Sequence, residues 1–541
     1  MTSPARFLPH KMQWSLDVDL DRHETQLDVP GLAIDRINSR VLGYIDAVAA
    51  ACHRLGKLTG QPENFEPPAR YVPQEAFLDK RLRSYQEAGV AQLREMLQHE
   101  AGAILADDPG LGKSYQSIAL AEALTKPVPT SRILIIAHSR WTFQDELVKW
   151  GVKVKDIAVL GPIATTKREW EKAKTARWVV TNAEMAPKAK AAAFSLDTPT
   201  VLILDEAHKW RDRKGIQQAT LKGLRAETPF KLAMTGTPTN LTRDVWQLMD
   251  FVLPGRLGSP FQFESTYCDG HYDENNHWQN RGTTKERADE LALRLSYYML
   301  RRELSEVLSE LPPLQRRMIQ LDGDESGRAA LQKAMTGAIH VSKALEATLK
   351  GKMPEAVDRA HEAKRFFLLT WRKDHAEQMA QMLRKDGTSC QFIHGDIPEK
   401  ERQTRIKACE ARGEGLVATL DSVGTGLNLQ KIASYGIMHA LHYDPQKMRQ
   451  GEGRLYRMGQ PGTVQWDWLV ARGTADVLVV RTILPKLEAQ ARVLPGQSAS
   501  KQLLTDLSDN AQESKRALHE IYEAMKVASE DEEDELWMSM G

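Results

Sequence analysis

The 541-residue sequence has few cysteines, almost no net charge and no long apolar run. Its four cysteines are scattered without a C-x-x-C pair, so neither a disulfide framework nor a zinc site is indicated. A formal net charge of +1 excludes a general attraction to polyanions, so any nucleic-acid site must be local. No stretch reaches the roughly 18 apolar residues of a membrane span, and no basic-then-apolar leader is present. We therefore expect a soluble, cytoplasmic protein without a membrane partner.

Short apolar runs of strand length alternate with helical patterns in two parts of the chain. The first part contains GAILA, ILIIA, WVVT, VLILD and KLAMTG, and the second contains RFFLLTW, CQFIHG, GLVATL, YGIMHAL and WDWLVA. Strands that alternate with helices form parallel sheets covered on both faces. We predict an α/β fold with two parallel-sheet lobes in tandem, a helical insert between them and a small N-terminal region.

The composition also predicts where these parts begin and end. An accessory region closes with the turn-rich stretch GQPENFEPPARYVP, and six consecutive acids near the end of the chain should stay solvated. The predicted boundaries are 1–75 for the accessory region, 76–255 for lobe 1, 256–335 for the helical insert or linker, 336–495 for lobe 2, and 496–541 for a C-terminal helix with a disordered acidic tail.

The stretch ADDPGLGKS has most of a phosphate-binding loop. In the usual pattern, G-x-x-x-x-G-K-[ST], backbone N–H groups surround nucleotide phosphates, the lysine reaches the β- and γ-phosphates and the hydroxyl holds Mg²⁺. Gly112, Lys113 and Ser114 fit this pattern, and Gly110 also allows close approach to a phosphate. Asp107 stands where the first glycine is usual. An apolar run before the loop and a helical pattern after it supply the expected strand, loop and helix.

The stretch VLILDEAH places two carboxylates at the end of an apolar strand. Asp205 is suited to hold Mg²⁺ through water, and Glu206 is suited to orient or deprotonate an attacking water. The alternative is a strand that runs into an acidic turn or a helix cap. The two carboxylates lie in the same predicted lobe as Lys113, which favours a role in nucleotide hydrolysis.

The stretch QGEGRLYRMGQ carries a pair of arginines in the second predicted lobe. Arg454 and Arg457 have i, i+3 spacing, which predicts one helical face from which both can meet a γ-phosphate. Such arginine fingers contribute about 10³ to 10⁵ in rate. A solvated basic helix is the alternative for this segment alone. Together with the lysine and carboxylates, the arginines predict an ATPase whose site closes between two lobes and whose hydrolysis drives their motion.

The order of the phosphate loop, the acidic pair and the arginine pair along the chain resembles that of the Swi/Snf (sucrose-non-fermenting) branch of helicase superfamily two. That branch carries D-E-x-G-L-G-K-[ST], so Asp107 is expected there. The resemblance implies two RecA-like lobes that use ATP and Mg²⁺ to translocate on double-stranded DNA. The stretch FESTYCDGHYD, with LRR and LP downstream, is similar to the compact annealing-helicase or fork-remodelling subgroup. The lack of accessory-domain patterns favours a bacterial or phage protein.

The resemblance also assigns roles to individual residues. It implies that Gln86 in LRSYQEAGV pairs with adenine, that Gly426 and Gln450 belong to the nucleotide site, and that YYMLRRELSEVLSELPPLQRR links the lobes. Thr235 and Thr237 in MTGTPTN would couple hydrolysis to lobe movement. The residues implied near DNA are Ser139, which follows His138 instead of the usual proline, and Thr181, Asn182, Thr370 and Asn428.

The leading hypothesis is a monomeric ATP-dependent translocase that remodels double-stranded or branched DNA or displaces DNA-bound proteins. The alternatives are a strand-separating helicase, a motor that acts on RNA polymerase, and a DNA-binding scaffold without ATPase activity. The scaffold hypothesis predicts the loss of a catalytic group, whereas the lysine, both carboxylates and both arginines are present.

Overall fold

The structure is a computed structural model. It describes residues 6–8, 13–18, 27–35, 40–59, 67–128, 130–161, 167–193, 199–210, 216–236, 238, 242–274, 277–280, 282–307, 313–423, 429–443, 445–457, 459–480 and 483. The chain forms two compact units that divide after Val307. Each unit is built on a parallel sheet, which confirms the predicted fold class of two α/β lobes.

The N-terminal part of the first unit is a four-stranded antiparallel sheet followed by a helix. Its elements are β1 (Arg6–Leu8), β2 (Gln13–Asp17), β3 (Leu32–Asp35), β4 (Arg40–Gly43) and α1 (Ile45–Thr59). The sheet order is β1-β2-β4-β3. The buried carboxylate of Asp46 in α1 accepts hydrogen bonds from Arg294 Nε and Tyr298 OH, each at 2.7 Å. This buried charge pair fixes α1 to a segment far along the chain.

A seven-stranded parallel sheet forms the centre of the first unit, which also has a separate hairpin. The strands are β5 (Gly102–Leu105), β6 (Ile133–Ile136), β7 (Ile157–Val159), β8 (Trp178–Thr181), β9 (Val201–Leu204), β10 (Phe230–Met234), the hairpin strands β11 (Gly270–Tyr272) and β12 (Trp278–Asn280), and β13 (Met299–Leu300). The central order is β13-β5-β10-β9-β6-β8-β7. Ala103 and Leu105 pack on one face of this sheet and Ile104 on the other, so the strands need continuous apolar sequence.

Helices connect the strands of the first unit, because parallel neighbours can be joined only by a long crossover connection. They are α2 (Ser84–His99), α3 (Lys113–Thr125), α4 (Arg140–Trp150), α5 (Lys167–Ala173), α6 (Ala186–Ala193), α7 (Ile216–Glu227), α8 (Thr242–Val252), α9 (Pro260–Tyr267), α10 (Lys285–Leu295) and α11 (Leu304–Val307). Strand β10 lies between β5 and β9, so the loops after these three strands meet at one edge of the sheet.

The second unit contains a six-stranded parallel sheet of order β14-β19-β18-β15-β17-β16. Its strands are β14 (Leu314–Asp322), β15 (Phe367–Thr370), β16 (Cys390–Ile393), β17 (Gly415–Thr419), β18 (Tyr435–Met438) and β19 (Val464–Arg472). Its helices are α12 (Glu325–Met335), α13 (Val341–Ala363), α14 (Lys373–Lys385), α15 (Glu399–Arg412) and α16 (Pro445–Glu452). The edge strand β14 pairs with β19 along its whole nine-residue length.

The segment 256–335, predicted as a helical insert, is divided between the two units. Its first part supplies α9, α10, the hairpin and the edge strand β13, which pairs with β5. Its later part supplies β14 to the second sheet. The difference has a physical reason, because Tyr297 and Tyr298 are buried and draw this segment into the core of the first unit.

Some predicted features lie outside the described residues. These are Thr237, Gly426, Asn428 and the acidic tail within 496–541. Among the helices that the structure describes, none combines the length and the apolar character needed to cross a bilayer.

Candidate active site

The phosphate loop joins β5 to α3 and takes a backbone shape that depends on its glycines. Gly110 and Gly112 have φ values of +97° and +72°, and α3 begins at Lys113, directly after Gly112. Only glycine adopts such angles freely. A Cβ atom at Gly112 would also lie 2.3 Å from Gln86 Nε2, so a side chain has no room there.

Gln86 supports this loop with both ends of its carboxamide. Its Oε1 accepts a hydrogen bond from the Arg83 N–H at 3.0 Å, and its Nε2 donates to the Leu111 carbonyl at 3.1 Å. The same carbonyl accepts hydrogen bonds from Tyr85 OH and Gln116 Nε2, each at 3.3 Å. The side chain predicted to pair with adenine therefore also holds the phosphate loop.

Asp107 fixes the first turn of the loop from within the protein. Its carboxylate is fully buried and accepts hydrogen bonds from Arg302 Nε at 3.1 Å, from Arg302 Nη2, and from Gln116 Nε2 at 3.0 Å. The sequence predicted a nucleotide contact for Asp107. In the structure its side chain supports the loop, because an acid in this position is neutralised by the arginine.

Lys113 lies at the centre of the loop among carboxyl and carbonyl oxygens. Its Nζ donates to the backbone carbonyls of Asp107 at 2.8 Å and Asp108 at 3.3 Å. Burial lowers the pKa of Lys113, while Glu206, Asp107, Asp108 and Asp205 act in the opposite direction. A nucleotide phosphate would compete with the two carbonyls for this ammonium group.

The acidic pair follows β9 directly and faces the lysine. Burial raises the pKa of Asp205 to about 7, Glu206 and Glu146 add to this rise, and Lys113 opposes it. Glu206 has φ +46°, in the left-handed region that residues other than glycine rarely adopt. Backbone strain of this kind collects at functional sites. Two crowded carboxylates that hold a proton near neutral pH form an environment suited to a cation.

His208 connects the acidic pair to the end of β10, a link that the sequence patterns did not predict. Its Nδ1 lies 3.4 Å from Glu206 Oε2 and 2.9 Å from the hydroxyl of the buried Thr235. A Cβ atom at Gly236, the next residue, would lie 3.4 Å from Lys113 Nζ. The ends of β5, β9 and β10 therefore meet at one site.

In the second unit, the predicted arginine pair does not share a helix. Helix α16 carries Gln450, half-buried, and ends at Glu452, so Arg454 and Arg457 lie in the turns that follow. Arg454 is buried, whereas the half-buried Arg457 donates from Nε to the Gly453 carbonyl at 2.6 Å. The prediction that both guanidinium groups project from one helical face is wrong.

The helix ends where it does because Glu452 is held by another part of the second unit. Arg316 in β14 donates to both carboxylate oxygens, at 2.8 and 2.9 Å, and Trp468 Nε1 donates at 3.1 Å. The next residue is glycine, which loses more conformational freedom in a helix than other residues do. The turn that carries Arg454 is therefore fixed at its start by a buried ion pair.

Comparison with known proteins agrees with this arrangement. Residues 85–373, more than half of the chain, match the model of the SNF2-related domain. The chain belongs to the SNF2-related family. Residues 347–459 of this SNF2-related protein also match the helicase conserved C-terminal domain. These matches confirm the prediction of a DNA-dependent ATPase of helicase superfamily two.

Individual relatives are distant and mostly longer. The protein is 23% identical over 466 residues to the mouse DNA annealing helicase and endonuclease ZRANB3, covering 80% of this chain and 43% of the relative. It is 26% identical over 451 residues to the uncharacterized ATP-dependent helicase MG018 of Mycoplasma genitalium, covering 76% and 42%. This SNF2-related chain thus spans less than half the length of these curated relatives.

A solved structure is also similar. The Sulfolobus solfataricus SWI2/SNF2 ATPase core in complex with dsDNA matches with a TM-score of 0.40 and 20% identity, covering 81% of this chain and 99% of that one.

The residues that the resemblance implies near DNA differ in their exposure. In the first unit, Ser139 is half-buried with its hydroxyl 2.7 Å from that of Thr142, and Asn182 accepts from the Met185 N–H at 3.2 Å. Thr181, the last residue of β8, is buried. The two polar side chains follow the neighbouring strands β6 and β8, so they belong to the same sheet edge as the phosphate loop.

In the second unit, Thr370 ends β15 and its side chain is fully buried. Its hydroxyl lies 3.0 Å from His439 Nδ1, whose ring is also buried. In this arrangement the Thr370 hydroxyl is bound within the second unit, and its contact with DNA stays a prediction.

Proposed function

We propose that this SNF2-related ATPase translocates along double-stranded or branched DNA and thereby remodels DNA structure or displaces bound proteins. The observation that supports the proposal is the convergence of Lys113, Asp205 and Glu206 at one sheet edge. Burial is the main cause of the shifted pKa values of Lys113 and Asp205, and the charge of each group opposes the shift of the other. The similarity to a DNA annealing helicase supports DNA as the substrate.

In this proposal, Lys113 and the backbone amides at the start of α3 bind the phosphates of ATP. Lysine charge and a helix N-terminus both favour an anion there. The Ser114 hydroxyl and the Asp205 carboxylate would hold Mg²⁺, because both are hard oxygen donors of the type this ion prefers. The crowding that raises the pKa of Asp205 fits a bound cation. When bound, Mg²⁺ neutralises charge on the phosphates.

Glu206 is the proposed group that orients and deprotonates the attacking water. His208, 3.4 Å from Glu206 Oε2, would hold that carboxylate in place. Arg454 and Arg457 are proposed to stabilise charge on the γ-phosphate, with Gln450 and Gly426 also at the nucleotide. Hydrolysis would then change the DNA contacts of the two units in turn.

DNA contact is proposed to run through the phosphate backbone, with Ser139 and Asn182 as donors from the first unit. Backbone contacts carry no direct sequence information and weaken steeply with salt. We therefore propose a protein that binds duplex DNA as a monomer with little sequence preference.

The test is the steady-state ATPase rate with blunt duplex, forked duplex, single-stranded DNA or RNA as cofactor. We expect duplex and forked DNA to stimulate hydrolysis and RNA to leave the rate unchanged. Displacement of a third strand from a triplex, with blocked ends, would then measure translocation without strand separation. Stimulation by RNA, or by single strands alone, would contradict the proposal. Lys113→Ala, measured in parallel, excludes a contaminating ATPase.

A further inference from the structure

We propose that Arg302 is a positioning residue for ATP hydrolysis, which holds the phosphate loop through Asp107 and lets the segment between the two units regulate that loop. The inference rests on the proposed function, because it assumes that Lys113 binds ATP. It adds a regulatory contact to the phosphate loop through the side chain of Asp107.

Arg302 is bound to three different elements at once. It donates to both oxygens of Asp107, to Gln116 Oε1 in α3 at 2.7 Å, and to the Tyr85 carbonyl in α2. A planar guanidinium that grips a carboxylate with two parallel bonds fixes direction as well as distance, which a lysine cannot do. The Asp107 side chain is fully buried and that of Arg302 is 17% exposed, so water competes little for these bonds.

Asp107, which Arg302 holds, also binds the catalytic Lys113. The Asp107 carboxylate binds Arg302, and its backbone carbonyl accepts from Lys113 Nζ at 2.8 Å. On either side, the Ala106 N–H donates to the Leu300 carbonyl at 2.7 Å and the Asp108 N–H to the Arg302 carbonyl at 3.0 Å. A shift of Arg302 therefore moves the first half of the loop as one piece.

Gly89 provides independent support, since it leaves space for this network at a cost to helix stability. It lies inside α2, where glycine is less favourable than alanine by about 1 kcal/mol. A Cβ atom at Gly89 would lie 2.3 Å from Gln116 Oε1 and 2.6 Å from Arg302 Nη2. A side chain at this position would displace Gln116 or Arg302, so the observed position of Arg302 requires the glycine.

Arg302 also occupies a particular place in the chain. It immediately precedes the short helix α11, with which the first unit ends, and the chain then continues into β14 of the second unit. Leu304, the first residue of α11, also binds the loop, because its N–H donates to Asp108 Oδ2 at 3.2 Å. Movement of this connection would therefore act on the phosphate loop through Leu304 and Arg302 together.

The experiment compares kcat and KM for ATP, with and without duplex DNA, in full-length wild type, Arg302→Lys and Gly89→Ala. We expect DNA-stimulated kcat to fall about tenfold or more in both variants, as expected when a loop that serves the transition state is misplaced. The melting temperature of Gly89→Ala should fall by a few degrees only, because the better helix propensity of alanine offsets part of the cost of displacing Gln116 and Arg302. A residue with a purely structural role would lower kcat only in proportion to the folded fraction at the assay temperature.

The matched control is Gly223→Ala, another glycine inside a helix, where the added Cβ meets only the flexible end of Lys190 at 2.8 Å. This variant should hydrolyse ATP like the wild type. Wild-type kcat in Gly89→Ala, or an equal loss in Gly223→Ala, would overturn the inference. If Arg302→Lys does not fold, Gly89→Ala decides. If wild type itself shows no DNA-dependent ATPase activity, the proposed function fails first.

Discussion

The segment around the boundary of the two units contributes one arginine to each unit, and the two arginines stabilise different kinds of structure. In the first unit, the two-residue strand β13 leads to Arg302, which holds a glycine-rich loop. In the second unit, the nine-residue strand β14 carries Arg316, which holds the end of a helix. Arg302 holds the phosphate loop, whereas Arg316 holds a buried helix end. A change at Arg302 should therefore alter activity, and a change at Arg316 should alter stability.

The largest expected effect tests whether the turn anchored by β14 also carries catalysis. Arg454→Ala and Arg457→Ala, made separately, should lower kcat for ATP by about 10³-fold or more for the residue that meets the γ-phosphate, equal to about 4 kcal/mol. Arg472→Ala, at the exposed end of β19, is the control and should be neutral. Near-normal turnover in both arginine variants would remove them from the catalytic site.

The next effect separates stability from activity in the second unit. Glu452→Gln removes the carboxylate charge that binds the buried Arg316, and breaking such a buried ion pair costs about 3–5 kcal/mol of unfolding free energy. Arg317→Gln should cost about 1 kcal/mol or less, because Arg317 is 53% exposed and its partner Asp467 keeps Arg359 and Tyr435. Denaturant unfolding measures both. Equal losses would show that β14 is held uniformly along its length.

A smaller effect concerns the acidic pair of the first unit. The pKa of Asp205 is about 7, above its ordinary value of 3.8. Between these two pH values the folded protein keeps the carboxyl proton and the unfolded chain releases it. Stability therefore falls as pH rises through this interval and stays reduced above it. Asp205→Asn should be more stable than wild type by about 2 kcal/mol at pH 8 and equal to it near pH 4, while losing ATPase activity. Thermal melts without nucleotide or Mg²⁺ across this range measure the difference. A constant offset would argue against a raised pKa.

Much of the fold could be predicted because strands buried on both faces require uninterrupted apolar sequence. The runs ILIIA and VLILD became β6 and β9 for this reason. The phosphate loop could be predicted because its glycines and lysine are adjacent in the chain. Arg302 could not be assigned to that loop in the same way, since it lies 195 residues from Asp107 in sequence.

The end of α16 shows the same limit. The i, i+3 spacing of Arg454 and Arg457 is compatible with a helix, but Glu452 is drawn to Arg316, 136 residues away. Contacts between remote residues override local helix preference there. The glycine inside α2 was a visible signal of a crowded site, because a helix interior normally avoids it.

The most direct test of the central claim is the duplex-stimulated ATPase rate of Glu206→Gln, measured with its affinity for duplex DNA. We predict that hydrolysis is abolished while the DNA dissociation constant stays within about twofold of wild type, because the substitution keeps the size of the side chain and removes only the basic oxygen. Normal turnover in Glu206→Gln would contradict the assignment of this sheet edge as the site of ATP hydrolysis.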